Sequence, residues 1–265
     1  MRFTLVGAGN LATQLGKALV GKGHEAVQVW SRTAASAQAL AEVLGCDGTT
    51  DIRALSPDTE VYIVSVKDDA LPEMLSLLCK GREDKVFLHT AGSVPMDVFR
   101  PYAPHHGVFY PMQTFSKERD CRFEEIHCFV EWSDDRAQKV VCGLAESVCG
   151  SVHPLSSERR KRLHLAAVFA CNFANHCYAV AEQLLDDAGI GFEVMLPLTD
   201  ETARKIHSLS PKAAQTGPAI RFDERVMSRH SELLDKHPTW KQIYEVMSRS
   251  IHELAKKDKE DNDKL

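Results

Sequence analysis

A doubly wound α/β domain followed by an all-helical one is the architecture the sequence predicts. Three observations lead there. Through the first half, short β-branched apolar runs alternate with amphipathic stretches, the pattern of parallel strands joined by right-handed helical crossovers. A glycine-rich turn separates the first such run from the first helix. After His153-Pro154 the strand pattern stops and only helical periodicity continues. The predicted domains are residues 1–153 and 154–265, and a chain of 265 residues is long enough to give each its own core.

Taken in order, Arg2–Val6 reads as a strand, followed by the turn and a helix over Asn10–Lys22. Glu25–Trp30 is a second strand and Thr33–Leu44 a second helix. Glu60–Val66 is a nearly continuous apolar run, the mark of a strand buried on both faces. Leu71–Cys79 is helical, and Lys85–His89 is a strand. Gly107–Tyr110, Ile126–Trp132 and Ser151–His153 are further strands, with a helix over Asp134–Val148 between the last two. Beyond the boundary, Ser156 is placed to cap a helix that runs unbroken to about Ala188 and ends at Gly189. Its middle, Leu165 to Cys171, is apolar nearly all round, which predicts burial on several sides. Helices are also expected over 191–209, 221–236 and, after Pro238, 239–257, with a charged tail from Lys256 to Leu265 that should fray.

Composition excludes several classes of function. The formal charge of -5 leaves no basic excess to drive binding to nucleic acid or an anionic membrane surface. No apolar run approaches the roughly 20 residues that cross a bilayer. The chain enters its first strand at once, with no signal-peptide core or cleavage site, so a cytoplasmic location is expected. None of the eight cysteines forms a CxxC pair, and they are expected to be reduced, mostly buried thiols. His105-His106 has no Cys, Asp or Glu nearby at ligand spacing, so no metal site is expected.

The turn itself, Gly7-Ala8-Gly9-Asn10-Leu11-Ala12, is a G-x-G-x-x-A string between strand and helix. Gly7 allows a tight turn, Gly9 lets a diphosphate approach the backbone, and Ala12 lets the helix pack closely on the sheet. The unpaired amides and positive end of the helix dipole favour the anion. A dinucleotide is the implied ligand. An NAD-selective site carries an acid about 20 residues past the glycines, bonded to the adenine ribose. Here that position reads Ser31-Arg32-Thr33, three donors suited to a 2′-phosphate, so NADP(H) is the expected cofactor. Thr33 could also simply cap the second helix. Val66 and Lys67, after the buried strand, and Ala91 and Gly92, after the next one, sit at the strand ends that border ligands in open α/β sheets. His89 reads more readily as a structural histidine than as an acid.

Several strings together are similar to one bacterial family: Val6 to Ala12, Ser31-Arg32-Thr33, His89 to Ser93, Tyr110 to Phe115, His164 to Asn172, and Thr216 to Arg221. The chain resembles the Rossmann-like NADP oxidoreductases that carry a helical C-terminal domain of unassigned function, near the pyrroline-5-carboxylate reductases and the deazaflavin-dependent NADP oxidoreductases. The resemblance spans nearly the whole chain. It implies a helical second domain like that of 6-phosphogluconate dehydrogenase and a homodimer formed through those helices. Relatives often have His where this chain has Tyr110, so the resemblance gives Tyr110 no catalytic role. The Lys-x-x-x-Asn pair of β-hydroxyacid dehydrogenases is absent, since Leu165 stands four residues after Lys161.

On the long helix, the spacing of His164, Asn172 and His176 puts them near one face, with Asn175 at its margin. They are either satisfied core or dimer-contact residues, or they line an interdomain cleft. In the second case His164 is the proton donor and Asn172 polarises a carbonyl or imine. Thr216-Gly217-Pro218 could offer amides to an anionic substrate, and Arg221 could pair with a carboxylate; an interhelical turn and a surface ion pair are the alternatives. The expected activity is hydride transfer between NADP(H) and a small carbonyl, imine or alcohol. A non-catalytic NADP(H)-binding regulator is the alternative, and nothing in the sequence identifies a deazaflavin as hydride partner.

Overall fold

The computed structural model describes residues 1–262, with side chains described through Lys256. The chain forms two compact units, Met1–Phe173 and Ala174–Leu265. The last strand ends at Pro154, close to the predicted change of pattern, but the units divide further on, between Phe173 and Ala174.

In the first unit the order is β1 (Arg2–Val6), α1 (Asn10–Gly21), β2 (Glu25–Trp30), α2 (Ala34–Leu44), β3 (Asp47–Thr49), β4 (Val61–Val64), α3 (Leu71–Cys79) and β5 (Val86–His89). There follow β6 (His106–Pro111), β7 (His127–Trp132), α4 (Asp135–Val148), β8 (Ser151–Pro154) and α5 (Ser157–Ala167). The eight strands form one sheet in the order β3-β2-β1-β4-β5-β6-β7-β8. Strand side chains alternate between its faces. Phe3, Leu5 and Ile63 pack with α1, α2 and α4 on one face; Val6, Tyr62, Val64 and Phe87 pack with α3 and Phe99 on the other.

The structure departs from the sequence expectations in several places. β3 was not anticipated: Asp47-Gly48-Thr49 has no apolar pattern and pairs only along the sheet edge with β2. β7 runs antiparallel to β6, so the sheet is mixed at that end. Residues 112–126 between them hold only a short 3₁₀ turn, and a parallel return needs a crossover, commonly a helix. The long helix is not continuous: α5 passes through a π-helical segment, Val168–Phe173, before α6 (Ala174–Asp186). Its apolar middle is open rather than buried, with Leu165 59%, Phe169 63% and Phe173 50% exposed. The thiols are all free, but only Cys79 and Cys128 are buried outright; Cys171 is exposed and the others are half-buried.

The second unit holds α6, a 3₁₀ turn (Phe192–Met195), α7 (Leu196–Lys205), α8 (Pro218–Arg221), α9 (Glu224–Leu233) and α10 (Pro238–Asn262). The predicted helix over 221–236 is broken at Phe222, whose left-handed φ of 54° separates α8 from α9 and whose ring stacks on His252 with centroids 4.2 Å apart. The charged tail continues as helix through Asn262; residues 263–265 lie outside the described part. No helix among the described residues is long and apolar enough to cross a membrane.

Candidate active site

β1 lies at the switch point of the sheet: from it the chain winds outward through β2 and β3, then returns to β4 and winds the other way. Ligands in such sheets bind beyond the strand C-termini at that crevice. Gly7 sits there with φ +125°, and a Cβ on it would lie 2.1 Å from the Ser65 carbonyl oxygen at the end of β4. Its N–H donates to the Trp30 carbonyl at 2.8 Å, tying the ends of β1 and β2 together. Only glycine closes this turn.

Gly9 caps α1 with no side-chain bond to the helix amides, and no acid lies in the first turn. Nothing stands within 4 Å of where its Cβ would be. Ala8 and Ala12 are buried, Leu11 is half-buried, and Gly9 and Asn10 are exposed. The Asn10 side-chain amide donates to the Phe115 carbonyl and that of Gln14 to Ser116, so the chain after β6 is laced to this helix. The helix start is left with a free, positively polarised set of amides and open space in front.

At the end of β2, Ser31 donates its N–H to the Thr49 carbonyl and is half-buried. Arg32 is exposed and, among the described residues, has no carboxylate partner. Thr33 takes the capping role: its Oγ1 accepts from the Ser36 N–H and donates to Ser36 Oγ. Its hydroxyl is thus engaged by α2. Val66 is half-buried against the apolar cluster around α3, and Lys67 is exposed at the start of a 3₁₀ turn (Asp68–Ala70).

His89, at the end of β5, is fully buried, and its Nδ1 accepts from the Ala91 N–H at 3.2 Å. Burial, helped by the positive charge of Arg160, pushes its pKa down to about 3. It is a neutral structural histidine. Just past it, Ala91 is half-buried and Gly92 buried, and Gly92 meets His164: a Cβ there would lie 2.5 Å from both Cγ and Nδ1 of that ring. Tyr110, near the end of β6 and 8% exposed, places its hydroxyl 3.0 Å from His164 Nδ1. Beside them Ser93 Oγ donates to the Asp68 carboxylate. The strand ends and α5 therefore bring His164, Tyr110 and Gly92 together.

A buried ion pair holds α5 in place. Arg160 is fully buried; its guanidinium bonds Glu131 on β7 at 2.6 Å and the Val94 carbonyl at 2.5 Å. Ser157 adds its N–H and hydroxyl to Glu131, at 2.9 and 2.6 Å. His164 lies four residues after Arg160, one helical turn on and on the same face. Arg160 was not singled out from the sequence, and Tyr110 was noted there only as a position where relatives often have His. Arg160 stands in a run, Glu158 to Arg162, that looks like a solvated helix face, and nothing in the sequence pairs Tyr110 with His164.

Asn172 is exposed, and its side chain makes no hydrogen bond among the described residues. Asn172 lies inside the π-helical segment, so the α-helical spacing that set it beside His164 does not hold over its last residues. Asn175 and His176 are both exposed on α6. Gly217, φ +105°, begins the short α8, and Arg221 ends it on the surface. His105 bonds Asp134, and His106 is buried against the Ala103 carbonyl. No group of three or more metal-ligating side chains occurs among the described residues.

Two family models match the chain: residues 2–91 match "NADP oxidoreductase coenzyme F420-dependent", and residues 126–251 match "Domain of unknown function (DUF2520)". Among solved structures, the Bacteroides fragilis protein named "putative NADP oxidoreductase BF3122" is 51% identical, with 95% of this chain and 98% of that one covered and a TM-score of 0.92. An imine reductase from Myxococcus stipitatus in complex with NADP+ is 16% identical over 97% of this chain and 94% of its own, with a TM-score of 0.69. A 1-pyrroline-5-carboxylate reductase from Streptococcus pyogenes is 13% identical over 96% and 98%, with a TM-score of 0.63. The last two share the fold. No curated protein matches the chain.

Proposed function

The chain belongs to the family of NADP oxidoreductases represented by the Bacteroides fragilis protein, and from that premise we propose that it moves hydride between NADP(H) and a small carbonyl, imine or alcohol. The observation that carries this reading is the uncapped, acid-free start of α1, closed by Gly7 over Ser65 and open in front of Gly9. The amides of Asn10, Leu11 and Ala12, following Gly7, Ala8 and Gly9, would hold the diphosphate. Ser31 and Arg32 would take the 2′-phosphate, with Thr33 contributing its main chain because its hydroxyl caps α2. Val66 and Lys67 would border the adjoining ribose, and Ala91 and Gly92 the nicotinamide end. When bound, NADP(H) supplies the hydride chemistry. His164, held at the same edge, gives or takes the proton at the substrate heteroatom, and Asn172 orients the substrate from the exposed stretch beyond. The helical residues after 154 would serve substrate binding and a homodimer. Leu196, Leu198, Leu233 and Val246 are more than half exposed in the single chain, which supports a partner there.

Fluorescence titration tests the cofactor assignment. NADPH should bind at least about tenfold more tightly than NADH, roughly 1.4 kcal/mol, and Arg32→Ala should remove that preference while leaving NADH binding unchanged. Equal affinities in the unmodified protein would refute the NADP assignment. Against a panel of cyclic imines, ketones and secondary alcohols, His164→Ala should keep NADPH affinity and lose about 100-fold in turnover. Tight cofactor binding with no turnover on any substrate, deazaflavin included, would favour the regulator.

A further inference from the structure

His164 is confined more closely than a surface histidine needs to be. Tyr110 meets it edge-on, with ring centroids 6.0 Å apart and planes at 80°, and sets its hydroxyl on Nδ1. On another side Gly92 leaves the ring only the space that a missing Cβ provides. One turn back, Arg160 pins the helix to Glu131 and to the Val94 carbonyl. The partner of one imidazole nitrogen decides which tautomer forms and which nitrogen is left to react. Among the described residues, Nδ1 is the one hydrogen-bond partner of the Tyr110 hydroxyl, so in the neutral pair the phenol donates and the ring proton sits on Nε2.

We propose that Tyr110 is a positioning residue for the oxidoreductase reaction: its hydroxyl occupies Nδ1 of His164, so that Nε2 alone presents the transferable proton to substrate. This rests on the reading of His164 as proton donor. In the reductive direction, bound NADPH would supply the hydride to the substrate's C=N or C=O carbon and be oxidised. The Nε2–H bond of protonated His164 breaks, and that proton goes to the substrate nitrogen or oxygen. That loss leaves the ring transiently as its Nδ1–H tautomer, with the Tyr110 oxygen accepting, as distinct from the resting neutral form in which the phenol donates to Nδ1. Water returns a proton to Nε2 and closes the cycle. Burial pushes the Tyr110 phenol pKa up against the opposing charge of Arg160, which keeps the phenol protonated and suits it to holding the ring rather than spending its own proton.

The test uses the whole protein with ¹⁵N-labelled histidine, read at a pH where imidazoles are neutral, with the His164 signals identified from a His164→Gln sample. His164 should show a single tautomer protonated at Nε2. Tyr110→Phe, which keeps the ring packing, should give mixed tautomers, unchanged NADPH affinity and an unchanged near-ultraviolet dichroism spectrum. Its kcat should fall on the order of tenfold with little change in KM. An unaltered tautomer signal in Tyr110→Phe overturns the proposal whatever the activity. If His164→Ala loses turnover and Tyr110→Phe does not, the proposal falls while the donor reading stands; if neither loses turnover, both fall.

Discussion

The β1–α1 turn and the beginning of α5 both contribute to the edge where the strands end, but they are built by opposite means. The turn works through main chain: its glycines remove side chains, and it presents amides and space. The start of α5 works through side chains, and each depends on a residue distant in sequence: Arg160 on Glu131, and His164 on Tyr110 and Gly92. A main-chain site is specified locally. A side-chain site has to be assembled, and most of the energy at stake lies in the residues that assemble it.

Arg160→Met puts that contrast under the greatest strain. It leaves Glu131, whose side chain is 19% exposed, without its cation, and removing one member of a buried pair costs about 3–5 kcal/mol. Urea denaturation should show the loss. Adding Glu131→Gln should recover a large part of it, and a single variant as stable as the parent would mean the pair does not anchor α5. Gly7→Ala probes the other region. Its Cβ would strike the Ser65 carbonyl at a φ that L residues avoid, which should cost about 2 kcal/mol or more and weaken NADPH binding. If the variant binds NADPH normally, the turn does not form the diphosphate site.

An effect that appears only on acidification concerns His89, which sits at the same edge as His164 but is fully buried. Its folded pKa, about 3, lies below the unfolded value of 6.5, so the unfolded chain binds the extra proton first. The stability contributed by neutral His89 is complete above about pH 6.5 and is lost as the pH falls from there toward about 3. The slope is about 1.4 kcal/mol per pH unit for one group. Denaturation midpoints measured across that range should fall in the parent and fall less steeply in His89→Gln. Parallel curves would show that His89 is not held neutral.

The same contrast governs how much could be read in advance. The strands Arg2–Val6 and Glu25–Trp30 and the helix Leu71–Cys79 stand where periodicity put them, because each buries a face that its own pattern defines. β3 went unseen because an edge strand of Asp-Gly-Thr carries no such pattern. The break in the long helix was hidden for a related reason: a π-turn changes the hydrogen-bond register without changing composition. Arg160 was illegible because its burial is decided by β7 and the loop after β5 rather than by its neighbours in sequence.

By itself, the sequence determined the Rossmann half, the glycine turn and the lack of an acid beside Arg32, since each depends on backbone freedom, charge or periodicity expressed within a few residues. Only the tertiary structure decided that His89 is sealed, that Tyr110 faces His164 and that Arg160 meets Glu131. Those outcomes depend on side chains separated by tens of residues coming within hydrogen-bond distance. Such distances are set by how the sheet twists and how α5 packs, which no local pattern encodes.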